Sequence, residues 1–327
     1  MFFKEEYIVN RKVTSTQLLS PINQINEYSD DQIISMFLSV CVRSKYTLRN
    51  YQRAIELFRH FISYKSLSEV TWQEIEAYKI GLIKGFCSFQ NKPLAPATVA
   101  SFLAPLNSLY KWGSDPNIQI FKLNPMSSVR TPRIHVNSKH HYLTKQEVGR
   151  LLEQLKRHSN RNYLIGLSLV LLGLRVSELI GMQWSHFRKD PLETSVWLHV
   201  MEGKGGKQRE IKVPRELWQL FMEYSHILPH EKQTAPRDTH VFPLSVRQVE
   251  RIISTSCEQC NIGKKTTPHW LRHTSATLAL LHGASLQQVQ ETLGHSHINT
   301  TQRYLHTVEQ MKKSASEYVE DCLREYF

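Results

Sequence analysis

From Asp30 onward the apolar residues recur at three- and four-residue spacing, a period that predicts one helix after another. Ile33, Ile34, Phe37 and Leu38 share a face behind the capping residues Ser29 and Asp30. A second helix is expected over 47–64, with Leu48, Tyr51, Ile55, Phe58, Phe61 and Ile62 facing inward. Thr71 opens a third, through Ile75, Tyr78 and Leu82. After turn residues at 91–96, a fourth covers 97–112, with a kink or break expected at Pro105 and a stop at 113–116. Short helices at this spacing read as a small bundle over 30–124. Residues 1–29 show no clear period and contain Ser20 followed by Pro21, so they read as a loosely ordered N-terminal arm.

The pattern then changes. Between 126 and 146 there is no acidic residue, while Arg130, Arg133, Lys139 and Lys145 occur beside Pro132 and several histidines. The 125–142 stretch is expected to be a basic linker in which Arg130, Arg133 and Lys139 lie along a phosphate backbone, although an ordinary solvated hinge shares this composition. Thr144 and Glu147 form a capping box that opens a second compact region, 143–307, with Val148, Leu151, Leu152 and Leu155 on its first inner face. Residues 163–174 are apolar nearly all round and predict a buried helix. Segments 195–201 and 208–213 alternate with period two around a Gly-rich turn, which predicts a β-hairpin with Lys204 at or near its tip. Helical spacing returns over 217–227, 246–260, 271–281 and 286–292, and again over 308–327 through Met311, Ala315, Tyr318, Val319, Cys322 and Leu323. The expected fold class is mainly α with a small β-sheet (α+β), in two domains, as a length of 327 residues favours.

Charge narrows the choice of partner. Forty-one Lys and Arg against 29 Asp and Glu leave a net charge of +12, which favours a polyanion because neutralising phosphates releases condensed counterions. Five scattered cysteines do not form a disulfide framework and fit a reducing cytoplasm. The start, Met1-Phe2-Phe3-Lys4, lacks the layout of a secretion leader. The most apolar stretch, 164–174, is far shorter than the ~20 residues of a membrane-spanning helix, so no membrane association is expected.

Candidate chemistry is concentrated late in the chain. Pro268-His269-Trp270-Leu271-Arg272-His273 is followed by Leu293-Gly294-His295 and then by Tyr304; upstream stand Arg175 with Glu178, and Gly203-Lys204-Gly205-Gly206-Lys207. A phosphodiester under attack accumulates negative charge on its non-bridging oxygens, and arginine offers a planar fork of donors that stays protonated. Arg175 and Arg272 suit that task, and Glu178, one turn after Arg175, is placed to fix it. Tyr304 is the candidate nucleophile; with an ordinary phenol pKa near 10 it needs a proton acceptor, for which His269 is the candidate. Lys204 fits the general acid that protonates a departing 5′ oxygen, with Lys207 as its competitor. The glycine-rich turn is not a nucleotide-binding loop, because Gln208 stands where Ser or Thr would hold magnesium. Cys257 and Cys260 before His269 and His273 resemble zinc ligands in type. The gap is shorter than the ~12 residues of a standard finger, and Cys257 continues an apolar helix face, so no metal or other cofactor is expected.

On these residues the chain resembles the tyrosine recombinase (phage integrase) family, whose pattern runs Arg, Lys, His-x-x-Arg, His or Trp, then Tyr. Arg175, Lys204, His269 with Arg272, His295 and Tyr304 match it in order. The resemblance implies a SAM-like core-binding bundle followed by a catalytic domain, together forming a clamp around DNA. It assigns Lys204 as the general acid and gives His295 the role of a hydrogen-bond donor to the phosphate. It also implies a 3′-phosphotyrosyl intermediate and a homo-tetramer on two recombination sites, a dimer per site. The C-terminal segment 308–327 then docks into a neighbour or folds back on its own domain. Integration, excision and resolution for a mobile element in a prokaryotic cytoplasm all remain open. Two other readings share parts of the pattern: a type IB topoisomerase-like enzyme that reseals the same strand, and a DNA-binding regulator with a vestigial site.

Overall fold

Capping and apolar periodicity define the helices of the first unit. The computed structural model describes residues 28–42, 44–87, 91–133, 141–201, 208–227, 239–295, 298, 301–302, 304–305, 308 and 314–326. The chain divides into two compact units, Met1–His135 and Val136–Phe327. The first contains α1 (Asp30–Cys41), α2 (Lys45–Phe61), α3 (Trp72–Lys84) and α4 (Pro96–Gly113). Ser29 and Thr71 close capping boxes at α1 and α3, each satisfying two backbone donors at the helix start. The inward faces of the four helices meet on Phe37, Phe58, Tyr78, Leu106 and Tyr110, all fully buried. Helix α4 runs through Pro105 without the expected break. The ring removes one backbone donor, but Leu103, Leu106 and Leu109 on either side are buried in the same core and hold the helix together. The expected linker starts with a 3-10 turn, Pro125–Ser128. Its Met126, with Val129, is buried in this core, and the Arg130 carbonyl accepts from Lys79 Nζ at 3.1 Å.

In the second unit, α5 (Lys145–His158) starts at Thr144, whose side chain and that of Glu147 form the expected capping box. The apolar helix α6 (Asn160–Leu171) is buried along most of its length and ends before Gly173, whose φ of 58° suits a residue without a Cβ. The short α7 (Val176–Ile180) follows. An antiparallel sheet has the order β1 (Phe187–Lys189), β2 (Val196–Val200), β3 (Arg209–Val213), with Leu198 opposite Phe187 and Ile211. Among the described residues, the helices that come next are α8 (Arg215–Ile227), α9 (Val246–Gln259), α10 (Pro268–Leu281) and α11 (Leu286–Leu293). Leu151, Leu155, Ile165, Leu169, Phe221, Phe242 and Leu271 make the main core. A smaller cluster of Ala276, Leu280, Val289, Leu293 and Val308 lies under Tyr304. The last described helix, α12 (Ala315–Leu323), exposes Tyr318 and Val319. Cys257 is buried on α9. Among the described residues no helix is long and apolar enough to cross a membrane.

Candidate active site

The second unit brings most of the candidate residues to one end of α10 and α11. Pro268 at the first position of α10 leaves its first turn open, and His269, Arg272 and His273 then share a face at helical spacing. Thr274, on the opposite side, accepts from the Leu143 backbone N–H at 2.9 Å and fixes the helix against the start of α5. Arg175 is the N-cap of α7, and Glu178 returns to accept from the Arg175 N–H at 2.8 Å.

Three arginines converge on three successive carbonyls at the C-terminus of α11. Arg209 Nε donates to Thr292 O at 2.8 Å, Arg272 Nη2 to Leu293 O at 2.6 Å and Arg175 Nη2 to Gly294 O at 3.4 Å. A helix C-terminus leaves such carbonyls without intrahelical partners and is the negative end of the helix dipole, so cations are favoured there. Gly294 turns the chain at φ 65°, and a Cβ on it would stand 2.7 Å from Arg209 Cδ. Arg272 is also tied to Gly173 O at 2.6 Å and is 2% exposed. Burial, and then the charge of Arg175, push its pKa down to about 10, so it remains a cation at neutral pH. The Arg175 side chain is 26% exposed and reachable by a ligand.

Glu178 gathers two of these cations. Arg175 Nη1 reaches its Oε1 at 2.6 Å, and Arg209 grips both oxygens at 2.9 Å. Burial alone raises the Glu178 pKa, but the Arg209 hydrogen bonds and charge, then those of Arg175, outweigh it and hold the carboxyl below its ordinary value.

Tyr304, in helical backbone with Thr301, Gln302 and Leu305, is half-buried. Its hydroxyl is hydrogen-bonded to His273 Nδ1 at 2.5 Å. His269, expected to receive the phenol's proton, instead sets its ring edge-on to His273, with centroids 4.3 Å apart. The His295 ring lies parallel to that of Tyr304 at 6.4 Å, and its Nδ1 is 2.9 Å from the hydroxyl of the fully buried Thr301. Burial, then His269, His141 and Arg272, push His273 down to about 4, and burial, then Arg272, Arg175 and Arg209, push His295 down to about 4. His269, whose outer side is exposed, is lowered by partial burial and then by Arg272 and Arg175. These rings are neutral at pH 7, each with one nitrogen to donate and one to accept.

Arg130 and Arg133 are exposed on the first unit, while Lys139, Lys204 and Lys207 lie outside the described residues. Sequence reasoning missed Arg209 and the Tyr304–His273 contact. Arg209 alternates in register with Ile211 and Val213, so its place on the core-facing side of β3 was a readable sign. His273 lies four residues after His269, the spacing of helical neighbours.

A model of the phage integrase family matches residues 141–311. The chain is 31% identical over 277 residues to a tyrosine recombinase XerC of Thermodesulfovibrio yellowstonii, covering 80% of this chain and 86% of that one. It is 27% identical over 291 residues to a tyrosine recombinase of Thermosipho africanus, covering 87% and 98%. Among solved structures it is similar to a XerH site-specific recombinase bound to a palindromic difH substrate, with TM-score 0.67 and 20% identity over 89% of this chain and 85% of that one. It is also similar to a lambda integrase tetramer bound to a Holliday junction, with TM-score 0.65 and 20% identity over 84% and 75%. At these identities the structural likeness concerns the fold.

Proposed function

The chain belongs to the phage integrase family of tyrosine recombinases, and from that membership we propose that Tyr304 is the nucleophile with which it cleaves and rejoins DNA strands. The observation that carries this reading is the position of the Tyr304 hydroxyl within a cluster of neutral histidines beside Arg272 and Arg175. In the proposed reaction Tyr304 attacks the scissile phosphorus, a 3′-phosphotyrosyl bond forms and the 5′ oxygen leaves. A 5′-hydroxyl from another strand then reverses the step, so the phosphodiester bond energy is retained and no nucleotide hydrolysis is required.

Each cation has a part. Arg175 and Arg272 hold the non-bridging oxygens, and their carbonyl anchors fix them before charge develops, so little reorganisation accompanies the reaction. His295 accepts the Thr301 hydrogen at Nδ1 and donates from Nε2 to a phosphate oxygen; His269, at the exposed edge, donates to the same group. Glu178 orients Arg175. Lys204 protonates the leaving 5′ oxygen, with Lys207 the alternative donor, and Arg130, Arg133 and Lys139 follow the DNA backbone. The substrate is a duplex recombination site, bound by a dimer and paired through a homo-tetramer, within the cytoplasm and in the service of a mobile element. The solved tetramer of lambda integrase on a Holliday junction supports that stoichiometry.

A nicked suicide duplex tests the reading. Its sequence is first selected from a random library by the wild-type protein. The expected result is a covalent protein–DNA adduct that Tyr304→Phe does not form although it still binds. Binding without any adduct in the wild type overturns catalysis in favour of a regulator, and site-independent relaxation of supercoiled DNA favours the topoisomerase-like reading.

A further inference from the structure

His273 falls outside the Arg, Lys, His-x-x-Arg, His, Tyr pattern, yet it holds the reacting oxygen. Its Nδ1 is hydrogen-bonded to the Tyr304 hydroxyl, and among the described residues no other histidine is placed so well for that atom. His295 presents the face of its ring to Tyr304 and uses its Nδ1 on Thr301. His269 meets His273 edge-on and restrains the plane of its ring from the preceding turn of α10.

We propose that His273 accepts the phenolic proton of Tyr304 during strand cleavage and returns it during rejoining, a catalytic residue additional to the family pattern. The proposal rests on the reading of Tyr304 as nucleophile. In cleavage the bond from Tyr304 oxygen to phosphorus forms and the bond from phosphorus to the 5′ oxygen breaks. The phenolic proton passes to His273 Nδ1, and the 5′ oxygen takes a proton from Lys204 or Lys207 to leave as a hydroxyl. In rejoining the incoming 5′-hydroxyl gives that proton back to the lysine, and the released phenolate recovers its own from His273. Protons and charge balance in each direction.

The surroundings explain why the pair is quiet without DNA. His273 is neutral at pH 7, and in its Nε2–H tautomer Nδ1 has a lone pair for the hydroxyl, while burial and then the neighbouring His269, His141 and Arg272 make it a weak base. A phenol near pH 10 does not ionise to such an acceptor unaided. A phosphodiester bound at Arg272 brings a negative charge close to the histidines, which offsets the positive field on His273 and raises its basicity. The proton is then transferred where the substrate is present, and Tyr304 stays protonated elsewhere.

The full-length protein is tested on the selected suicide duplex at saturating concentration, where the first-order rate of adduct formation is read separately from binding. His273→Ala is expected to bind within about twofold of wild type and to cleave roughly 100-fold or more slowly, the usual effect of removing a general base. Imidazole added to His273→Ala is expected to restore part of the rate, a response that a purely structural residue would not give. His273→Asn, which keeps an acceptor near Nδ1 but cannot take a proton, guards against loss of folding and is expected to bind normally and remain slow. Wild-type cleavage by either variant, or a slow His273→Ala that imidazole does not accelerate, overturns the proposal. Tyr304→Phe serves as the separate control: if it still forms the adduct, the nucleophile reading fails, whereas its inactivity beside a fully active His273→Ala defeats this inference alone.

Discussion

Arg209 grips both carboxylate oxygens of Glu178, Nη1 on Oε1 and Nη2 on Oε2, each at 2.9 Å, while its own Nε holds the carbonyl of Thr292. The pair is nearly closed to solvent, with side-chain exposures of 9% for Arg209 and 1% for Glu178. Removing one partner leaves a buried charge with half its compensation. Arg209→Met is therefore expected to destabilise the protein by about 3 kcal/mol in urea unfolding. Replacing Glu178 by Met in the same chain should recover much of the loss, because the buried carboxylate that Arg175 alone would have to compensate is gone. A loss below about 1 kcal/mol in the single variant would show the pair to be dispensable.

Two glycines should respond in opposite directions to one added methyl group. Gly294 sits at φ 65° with Arg209 Cδ 2.7 Å from where a Cβ would be, so Gly294→Ala should cost more than about 1 kcal/mol and slow DNA cleavage as well. Gly149, inside α5, has nothing within 4 Å of that position. Gly149→Ala should stabilise the protein by about 0.5–1 kcal/mol through lower unfolded-state entropy. Thermal and urea unfolding of both variants check the contrast.

The histidines set a pH window for stability. His273 and His295 titrate near 6.5 when unfolded and near 4 when folded, so the unfolded chain binds protons that the native state refuses. Their contribution is fully present above pH 6.5 and declines as the pH falls towards 4. Glu178, Glu147 and Glu74 are lowered from 4.5, and their contribution is lost only below that value. Between pH 6.5 and 4.5 the melting temperature should therefore fall with a slope that a His273→Asn, His295→Asn double variant flattens. An unchanged slope in that variant would remove the histidines from the account.

Helix α12 exposes Tyr318, Val319 and Leu323, an apolar stripe suited to a neighbouring protomer. A truncation intended to remove it must begin after residue 313, because Val308 is buried in the cluster with Leu280 and Val289. Such a protein is expected to bind a single site as the full chain does and to lose recombination between two sites. Mobility-shift titration and a two-site recombination assay measure these separately, and undiminished recombination would speak for docking of the helix on its own domain.

Helices with a clear apolar face were legible in the sequence, as α1, α3 and α5 illustrate, because burial and capping act locally and leave a periodic trace. The short β1 and α7 were not, since three or five residues carry too little period to register against the surrounding chain. Of the kink or break expected at Pro105, the break does not occur, because tertiary packing on both sides outweighs the loss of one backbone bond. At the site, residue types announced Arg175, Arg272, His295 and Tyr304 as a set. The partner of the phenol did not announce itself: the choice between His269 and His273 depends on the direction in which Tyr304 enters, a matter of tertiary geometry. Arg209 was hidden for a related reason, as its interest lies in Glu178 and Thr292, both far away in the chain.

The last turn of α11 acts as a common yoke for the cationic centre. Thr292, Leu293 and Gly294 each hold one guanidinium, so the rise of a peptide backbone helps set the spacing of the three charges, together with Glu178 under Arg175 and Arg209 and the Gly173 carbonyl under Arg272. Tilting or fraying that single turn would displace all of them together and carry His295, the next residue along, in the same movement. That stretch of main chain thus couples the three arginines to one another and to His295, and gives a neighbour, ligand or mutation a point of leverage on all of them that no single arginine offers.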